Sequence, residues 1–288
     1  MNDSVIRITP RIHDIGGGLI VRRALPHQLA RSVGPFVFVD EFGPLQVAPG
    51  RGTDVRPHPH IGLATVTYLL AGRMVHRDSL GTVQEIRPGD INLMSAGRGI
   101  VHSERGTDEA HAQGQYLHGL QTWLALPQEQ QESAPWFRHY PGAGLPRSQL
   151  PGARLQVLIG TAFGLESPVA APAPTLYVLI ELDAGASLVL DADYAERALY
   201  VIEGEIDVDD SVLARNELGV LTPASDRFTA RSDSRVVLLG GAPLDGPRLL
   251  WWNFVASSRE RIEQAKEDWA QQRFPSVPGE TEFIPLPG

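Results

Sequence analysis

The chain contains no cysteine among its 288 residues. Disulfides, thiolate metal sites and cysteine nucleophiles are therefore excluded, and any bound metal ion must be held by nitrogen and oxygen atoms. The sequence also lacks a Gly-x-Ser-x-Gly nucleophile elbow, a phosphate-binding loop and a dinucleotide fingerprint. The enzyme classes that depend on those motifs are set aside.

Two further absences concern membranes and nucleic acids. No apolar run approaches the roughly 20 residues that a membrane helix needs, and the N-terminus has no basic region followed by an apolar core, as a secretory signal would. The formal net charge is −9, which disfavours direct binding to phosphate backbones. We therefore expect a cytoplasmic protein, monomeric, that binds neither membranes nor nucleic acids.

Short strand-like runs dominate the sequence. Residues 36–39, 65–70 and 176–180 are examples, each rich in β-branched residues and bounded by Gly, Pro or Asp. Such spacing favours sandwiches or barrels over parallel sheets with crossover helices. The predicted fold class is all-β.

Two stretches resemble each other and indicate a duplication. Residues 66–72, Val-Thr-Tyr-Leu-Leu-Ala-Gly, are echoed by residues 199–205, Leu-Tyr-Val-Ile-Glu-Gly-Glu, and each is followed by a glycine-containing turn and an apolar run. We interpret this as two β-barrel units, with chance similarity between β-rich segments as the alternative. A Pro- and Gly-rich region between Leu126 and Gln156 separates them, which gives predicted domains 1–130 and 131–288.

One short helix is predicted near the C-terminus. Ser257 is a suitable N-cap, and Glu260 completes a capping box. Pro275 is expected to end the helix, and residues 275–288 to form an extended tail that packs on a barrel. Apolar residues recur at helical spacing in between: Ile262, Ala265 and Trp269.

Four residues form a candidate metal site. In a strand, residues i and i+2 face the same side, so His58 projects with His60, and His102 with Glu104. Two such pairs on neighbouring strands can converge, and three imidazoles with one carboxylate suit Fe(II), Mn(II), Ni(II), Cu(II) or Zn(II). A lone His-x-His usually binds nothing, but Gly52, six positions before His58, supplies a tight turn of the kind that a small barrel needs.

Other polar residues receive plainer interpretations. His76 is expected in a hairpin or turn, in a hydrogen-bonding or surface role. His118 could also lie next to a metal ligand without binding the metal itself, but this interpretation is the less favoured one. The pair Asp40-Glu41 is expected in a solvated turn. All nine histidines lie at or before His139, so the second unit lacks imidazole ligands and is predicted to be structural or to close the cleft.

The chain resembles the pirin family of the cupin superfamily. Gly52 with His58-x-His60 resembles the first cupin signature, and the glycine-rich run that ends at His102 resembles the second. The segments similar to pirins cover most of the chain: residues 36–43, 58–60, 65–68, 76–81, 95–104, 119–123, 238–244 and 262–265. Residues 95–104, Ser-Ala-Gly-Arg-Gly-Ile-Val-His-Ser-Glu, are the most specific.

The resemblance implies a bicupin with one divalent metal ion, usually iron, in the N-terminal barrel. It also implies that His58, His60, His102 and Glu104 are the ligands, with Ni, Mn, Cu or Zn as alternatives to Fe(II). Many cupins carry a glutamate shortly after His-x-His; here it is absent, and Glu104 takes its place. Pirins commonly read Arg, Phe and Glu where this chain has Ile61, Leu63 and Ala64, which changes the polarity of that strand.

The implied activity is that of a flavonol 2,3-dioxygenase, an oxidoreductase that cleaves quercetin-like substrates with O2 and releases carbon monoxide. Glu104 would then act as ligand and as catalytic base. Two alternatives stay open. The first is a metal-binding, redox-responsive regulatory module that binds a protein partner, and the second is a zinc-loaded structural cupin without catalysis.

Overall fold

The computed structural model describes residues 5–15, 19–190 and 194–288. The chain forms two compact units. Unit I comprises His13–Val21, Asp40–Ala143 and Leu244–Gly288, and unit II comprises Met1–Ile12, Arg22–Val39 and Gly144–Pro243, in each case within the described residues.

Strands dominate both units, and the prediction of an all-β chain with a short C-terminal helix is confirmed. The helices are α1, Asp108–Gln113, and α2, Arg259–Ala270, with single 3-10 turns at Gln128–Gln130 and Gly142–Gly144. The strands follow in chain order: β1 Ile6–Ile8, β2 Arg11–Asp14, β3 Ile20–Leu25, β4 Phe36–Val47, β5 Val55–His60, β6 Leu63–Ala71, β7 Met74–Asp78, β8 Val83–Ile86, β9 Ile91–Ser95, β10 Ile100–Arg105, β11 Gln115–Ala125, β12 Trp136–Tyr140, β13 Arg147–Leu150, β14 Ala153–Ile159, β15 Thr161–Ala162, β16 Leu165–Glu166, β17 Thr175–Leu182, β18 Ser187–Val189, β19 Glu196–Glu203, β20 Glu205–Val208, β21 Ser211–Ala214, β22 Leu218–Val220, β23 Arg227–Ala230, β24 Ser234–Gly241, β25 Leu249–Trp251 and β26 Phe254–Ala256.

The same strand order occurs twice. A four-stranded sheet with the order β5-β10-β7-β8 recurs as β18-β23-β20-β21. The order β9-β6-β11-β4, within a seven-stranded sheet, recurs as β22-β19-β24-β17 within another. Because each strand has a counterpart thirteen strands later, the predicted duplication of a β unit is present in the topology.

Alternation along the strands places side chains inside or outside each unit. In β7, Met74, His76 and Asp78 are buried, whereas the intervening Val75 and Arg77 are more exposed. Met74 contributes to the apolar core of unit I, with Phe42, Leu69, Ile86 and Leu117. The inward face of β7 therefore carries both apolar packing and the polar pair His76 and Asp78.

Helix α2 lies close to its predicted position, but its ends differ. Ser258, rather than Ser257, is the N-cap, and its side chain accepts a hydrogen bond from the N–H of Arg261. Ser257 instead donates to the side chain of Gln131 and receives nothing from the helix. The predicted capping box with Ser257 is therefore wrong, and the helix ends at Ala270, five residues before Pro275.

The buried face of α2 is the predicted one, with Ile262, Ala265 and Trp269 packed beneath it. The indole N–H of Trp269 donates to the carbonyl oxygen of Ile284, at 2.9 Å, in the tail. The N–H of Ile284 donates to the carbonyl of Pro57 at 2.8 Å, just before His58. Neither α-helix of the described residues, with 6 and 12 residues, is long enough to cross a membrane.

Candidate metal centre

Three neighbouring strands, β5, β10 and β7, carry the residues of the predicted site and bring them side by side. β10 lies between β5 and β7 in the four-stranded sheet and pairs antiparallel with both. His102 is directly opposite His58 on one side and opposite Asp78 on the other. Because side chains at paired positions face the same side of a sheet, His58, His102 and Asp78 form one cross-strand row, with His60 two residues from His58.

The three imidazoles converge. The Nε2 atoms of His60 and His102 are 3.1 Å apart, and the ring of His58 lies 4.4 Å from that of His102 and 5.0 Å from that of His60, measured between centroids. One ring nitrogen from each residue lies within 4.8 Å of the others. All three side chains are buried.

Two of the imidazoles have a defined tautomer. His58 donates its Nδ1–H to the carbonyl oxygen of Arg56, at 2.9 Å, and His60 donates its Nδ1–H to that of Asn253, at 3.1 Å. A carbonyl oxygen only accepts, so Nδ1 carries the hydrogen and Nε2 presents a lone pair. Neutral imidazoles held in this way are ligands for transition metals.

Burial keeps these histidines neutral. It lowers the pKa of His58 to about 4, against the opposing effect of its hydrogen bond to Arg56. The pKa values of His60 and His102 are also held well below the ordinary value, first by burial and then by the neighbouring imidazoles. Two nitrogens that each lie about 2.1 Å from one ion are separated by about 3.0 to 3.4 Å, depending on the coordination geometry, which agrees with the 3.1 Å between Nε2 of His60 and Nε2 of His102. The donor set therefore fits a divalent transition metal.

Glu104 is near this cluster but not part of it. The pairing of β10 with β5 shifts between His102 and Glu104, so that Glu104 lies opposite Val55. Its Oε1 accepts a hydrogen bond from Gln121 Nε2 at 3.3 Å. Burial raises the pKa of Glu104 to about 7, while the bond from Gln121 acts in the opposite direction. The structure thus assembles three of the four predicted ligands, and the assignment of Glu104 stays a prediction.

Aromatic side chains from the facing seven-stranded sheet adjoin the histidines. Trp123 of β11 meets the ring of His60 edge-on, at 5.1 Å between centroids, and Phe137 of β12 stacks on His76 at 4.4 Å. Packing of this kind fixes ring orientation and keeps water away from the cluster.

His76 and Asp78 were not identified as part of the site from the sequence. His76 lies in a hairpin, as expected, and makes hydrogen bonds, but it is only 6 % exposed. Its Nε2 lies 2.9 Å from Asp78 Oδ2, and its Nδ1 lies 3.3 Å from His102 Nδ1. Burial by itself raises the pKa of Asp78, but hydrogen bonds from His76 and Thr82 outweigh that effect and hold it below the ordinary value. The available sequence signal was the i, i+2 spacing, the same as that of His58 and His60.

One other expectation is corrected. Asp40 and Glu41 are buried within β4 rather than solvated in a turn. Glu41 Oε1 lies 2.7 Å from Nε2 of His118, which is also buried. The hydrogen bond of His118 is therefore directed to Glu41.

Unit II has apolar residues where unit I has its histidines. The cross-strand row equivalent to His58, His102 and Asp78 follows the strand order β18, β23, β20. It consists of buried hydrophobic residues: Leu188, Phe228 and Val208. All three belong to the apolar core of unit II, so this row supplies packing and no metal ligands.

The fold and the cluster define a cupin-type protein with a three-histidine site. The model of the pirin family matches residues 18–124, and that of the pirin C-terminal cupin domain matches residues 177–275. A pirin-like protein of Caulobacter vibrioides is 44 % identical over 277 residues, which cover 94 % of this chain and 95 % of that protein. The chain belongs to the pirin family.

Solved structures agree with this assignment. A crystal structure of quercetin 2,3-dioxygenase from Acinetobacter baumannii has a TM-score of 0.92 and 34 % identity, and the match covers 100 % of this chain and 96 % of that one. A bacterial pirin from Escherichia coli, crystallised in complex with nickel(II), has a TM-score of 0.64 at 18 % identity, with coverage of 83 % and 100 %. The second comparison supports the fold alone.

Proposed function

We propose that this chain is a metal-dependent dioxygenase of the pirin type that cleaves flavonols such as quercetin with O2. The observation that carries the proposal is the convergence of three neutral, buried imidazoles, two of them fixed by backbone carbonyls with Nε2 directed inward. The likeness to the Acinetobacter baumannii quercetin 2,3-dioxygenase supports the choice of substrate. We assign one divalent ion to the site, with Fe(II) the first choice and Ni(II), Mn(II), Cu(II) or Zn(II) as alternatives.

Each residue of the site has a separate role in the proposed reaction. A bound divalent ion supplies positive charge that lowers the pKa of a coordinated hydroxyl group. His58, His60 and His102 hold the ion, and Trp123 and Phe137 keep the surroundings apolar for a flat aromatic substrate. Glu104 joins as the fourth ligand and accepts the hydroxyl proton on a carboxylate oxygen. Gln121 orients that carboxylate.

Reconstitution tests the proposal. Metal-free protein is reloaded anaerobically with Fe(II), Ni(II), Mn(II), Cu(II) or Zn(II), and quercetin loss, O2 uptake and carbon monoxide are measured together. We expect equal amounts of quercetin and O2 to be consumed with at least one ion. His60→Ala should lose both the metal and the turnover, whereas the matched His111→Ala should keep both, because His111 pairs with Asp54 away from the cluster.

The outcomes separate the alternatives. Bound metal without O2-dependent loss of quercetin, for every ion, would overturn the dioxygenase and favour the regulatory or structural interpretation. Normal turnover by metal-loaded Glu104→Gln would remove Glu104 as the base while leaving the rest of the proposal intact.

A further inference from the structure

We propose that Asp78 and His76 are positioning residues that fix the tautomer of His102 and so aim its Nε2 lone pair at the metal. The inference rests on the metal site of the proposed function and adds two residues to it. It assigns a role to a buried polar pair that contributes no ligand atom to the cluster of His58, His60 and His102.

The carboxylate of Asp78 determines which nitrogen of His76 donates a hydrogen bond. Its Oδ1 accepts the N–H groups of Leu80, at 2.9 Å, and Thr82, at 3.0 Å, and its Oδ2 lies 2.9 Å from His76 Nε2. A carboxylate only accepts hydrogen bonds, so Nε2 of His76 carries the hydrogen. A bound cation disfavours a further positive charge beside it, so we take His76 as neutral in the metal-loaded protein, and its other nitrogen, Nδ1, is then an acceptor.

The acceptor nitrogen of His76 in turn determines which nitrogen of His102 carries the hydrogen. Nδ1 of His76 lies 3.3 Å from Nδ1 of His102. Because the former is an acceptor, the latter must carry the hydrogen. Nε2 of His102 is then left with its lone pair, 3.1 Å from the lone pair on Nε2 of His60, and a cation bound between them satisfies both nitrogens.

All three imidazoles therefore share one tautomer, reached by two routes. His58 and His60 lie on β5, at the edge of the four-stranded sheet, and donate to carbonyl oxygens. His102 lies on β10, which is paired on both sides, so the carbonyls of its neighbours are engaged in the sheet. For His102, Nδ1 of His76 on β7 accepts the hydrogen bond that a backbone carbonyl oxygen accepts from His58 and from His60.

Two further observations support the assignment. Phe137 stacks on His76 with an interplanar angle of 20°, which fixes the plane of the ring. In unit II the inward positions of β20 are Ile206 and Val208, and the polar support is absent together with the imidazoles. The polar pair and the imidazoles therefore occur together in unit I, and both are replaced by apolar residues at these positions of unit II.

The substitution Asp78→Asn should reverse the chain of hydrogen bonds. The two backbone N–H groups at Oδ1 require an acceptor, so the amide oxygen takes that position and the NH2 group faces His76. His76 then accepts at Nε2 and donates from Nδ1, which places the hydrogen of His102 on Nε2. That nitrogen can no longer bind a metal without losing its hydrogen.

Two measurements test this. In Zn(II)-loaded protein labelled with 15N, two-bond 1H–15N correlations report which ring nitrogen of His76 carries the hydrogen, with signals assigned by their loss in His76→Gln. We expect Nε2–H in the wild type and Nδ1–H in Asp78→Asn. Co(II) affinity, followed by d–d absorption in competition with a chelator, should fall about 10- to 100-fold in Asp78→Asn.

Matched variants keep the test decisive. Asp54→Asn alters another Asp–His pair, with His111, and should bind Co(II) like the wild type. His76→Gln preserves the direction, because its amide NH2 can donate to Asp78 while its oxygen accepts from His102. It should stay within about threefold of the wild type, whereas His76→Leu should lose about tenfold. If Asp78→Asn does not fold, the Co(II) affinities of His76→Gln and His76→Leu, together with the wild-type tautomer, test the positioning role.

The results that overturn the inference are distinct from those that overturn the site. Wild-type His76 with its hydrogen on Nδ1 in the Zn(II)-loaded protein, or equal Co(II) affinities for His76→Gln and His76→Leu, would refute the positioning role. No Co(II) binding by the wild type would refute the metal site itself.

Discussion

Replacing Glu104 by glutamine should stabilise the metal-free protein at alkaline pH. Burial raises the folded-state pKa of Glu104 from the ordinary 4.5 to about 7. A carboxyl group whose pKa is raised on folding contributes stability that is fully present below pH 4.5 and is lost as the pH rises through about 7. The two pKa values differ by about 2.5, which corresponds to about 3 kcal/mol at about 1.4 kcal/mol per pKa unit. Most of that, about 2.5 kcal/mol, falls between pH 5 and pH 8.

Urea unfolding of metal-free wild type and Glu104→Gln at pH 5 and pH 8 measures this effect. The free energy of unfolding of the variant, relative to the wild type, should rise by about 2.5 kcal/mol between the two pH values. Glu109→Gln is the control, because Glu109 is an exposed carboxylate on α1, and its difference from the wild type should stay constant.

Addition of Ni(II) should reverse the order of stability at pH 8. A cation pairs with the buried carboxylate of the wild type, and binding to the folded state alone stabilises it by mass action. Parallel pH dependence of wild type and Glu104→Gln without metal would refute the reasoning on burial. An unchanged order after Ni(II) is added would refute the role of Glu104 as a ligand.

Three other substitutions, and one control, test packing and local structure. Gly62→Ala should cost about 3 kcal/mol or more in urea unfolding, because φ is +66° and an added Cβ would lie 2.0 Å from a backbone oxygen; Gly50→Ala, with a similar φ of +76° but open space, should cost only about 1 kcal/mol. Ser258→Ala should lower the stability by about 1 kcal/mol through loss of the α2 cap, and an unchanged midpoint would refute that cap. Glu280→Gln should weaken the contact between the tail and Arg105, cost about 1 to 2 kcal/mol and speed proteolytic cleavage within residues 275–288; equal cleavage rates would contradict it.

Local patterns were sufficient where one element decided the outcome. The all-β class and the buried face of α2 follow from periodicities that neighbouring residues carry by themselves. The i, i+2 spacing places His58 beside His60 because every strand alternates in the same way. The echo between residues 66–72 and 199–205 reflects two units with one topology.

Predictions from local sequence patterns were wrong where a residue distant in the chain determined the local structure. Ser257 and Ser258 are equally good caps by type, and the choice depends on Gln131, which binds Ser257 from 126 residues away. Asp40 and Glu41 are typical of a turn by composition, yet β4 continues through them, and His118 lies 77 residues along the chain from the carboxylate of Glu41. Helix α1 has only six residues and too few turns to show a periodicity.

The sequence by itself determined the available donor atoms: imidazole and carboxylate without thiolate, the spacing of two ligand pairs, and the absence of histidine after His139. Only the tertiary structure decided which ring nitrogen of His58 and of His60 carries its hydrogen, how far the pKa of Glu104 rises, and that His76 and Asp78 lie next to His102. The physical reason is that tautomers and pKa values depend on desolvation and on hydrogen-bond partners. Those partners come from strands and loops far apart in the chain, as Asn253 does for His60, 193 residues away.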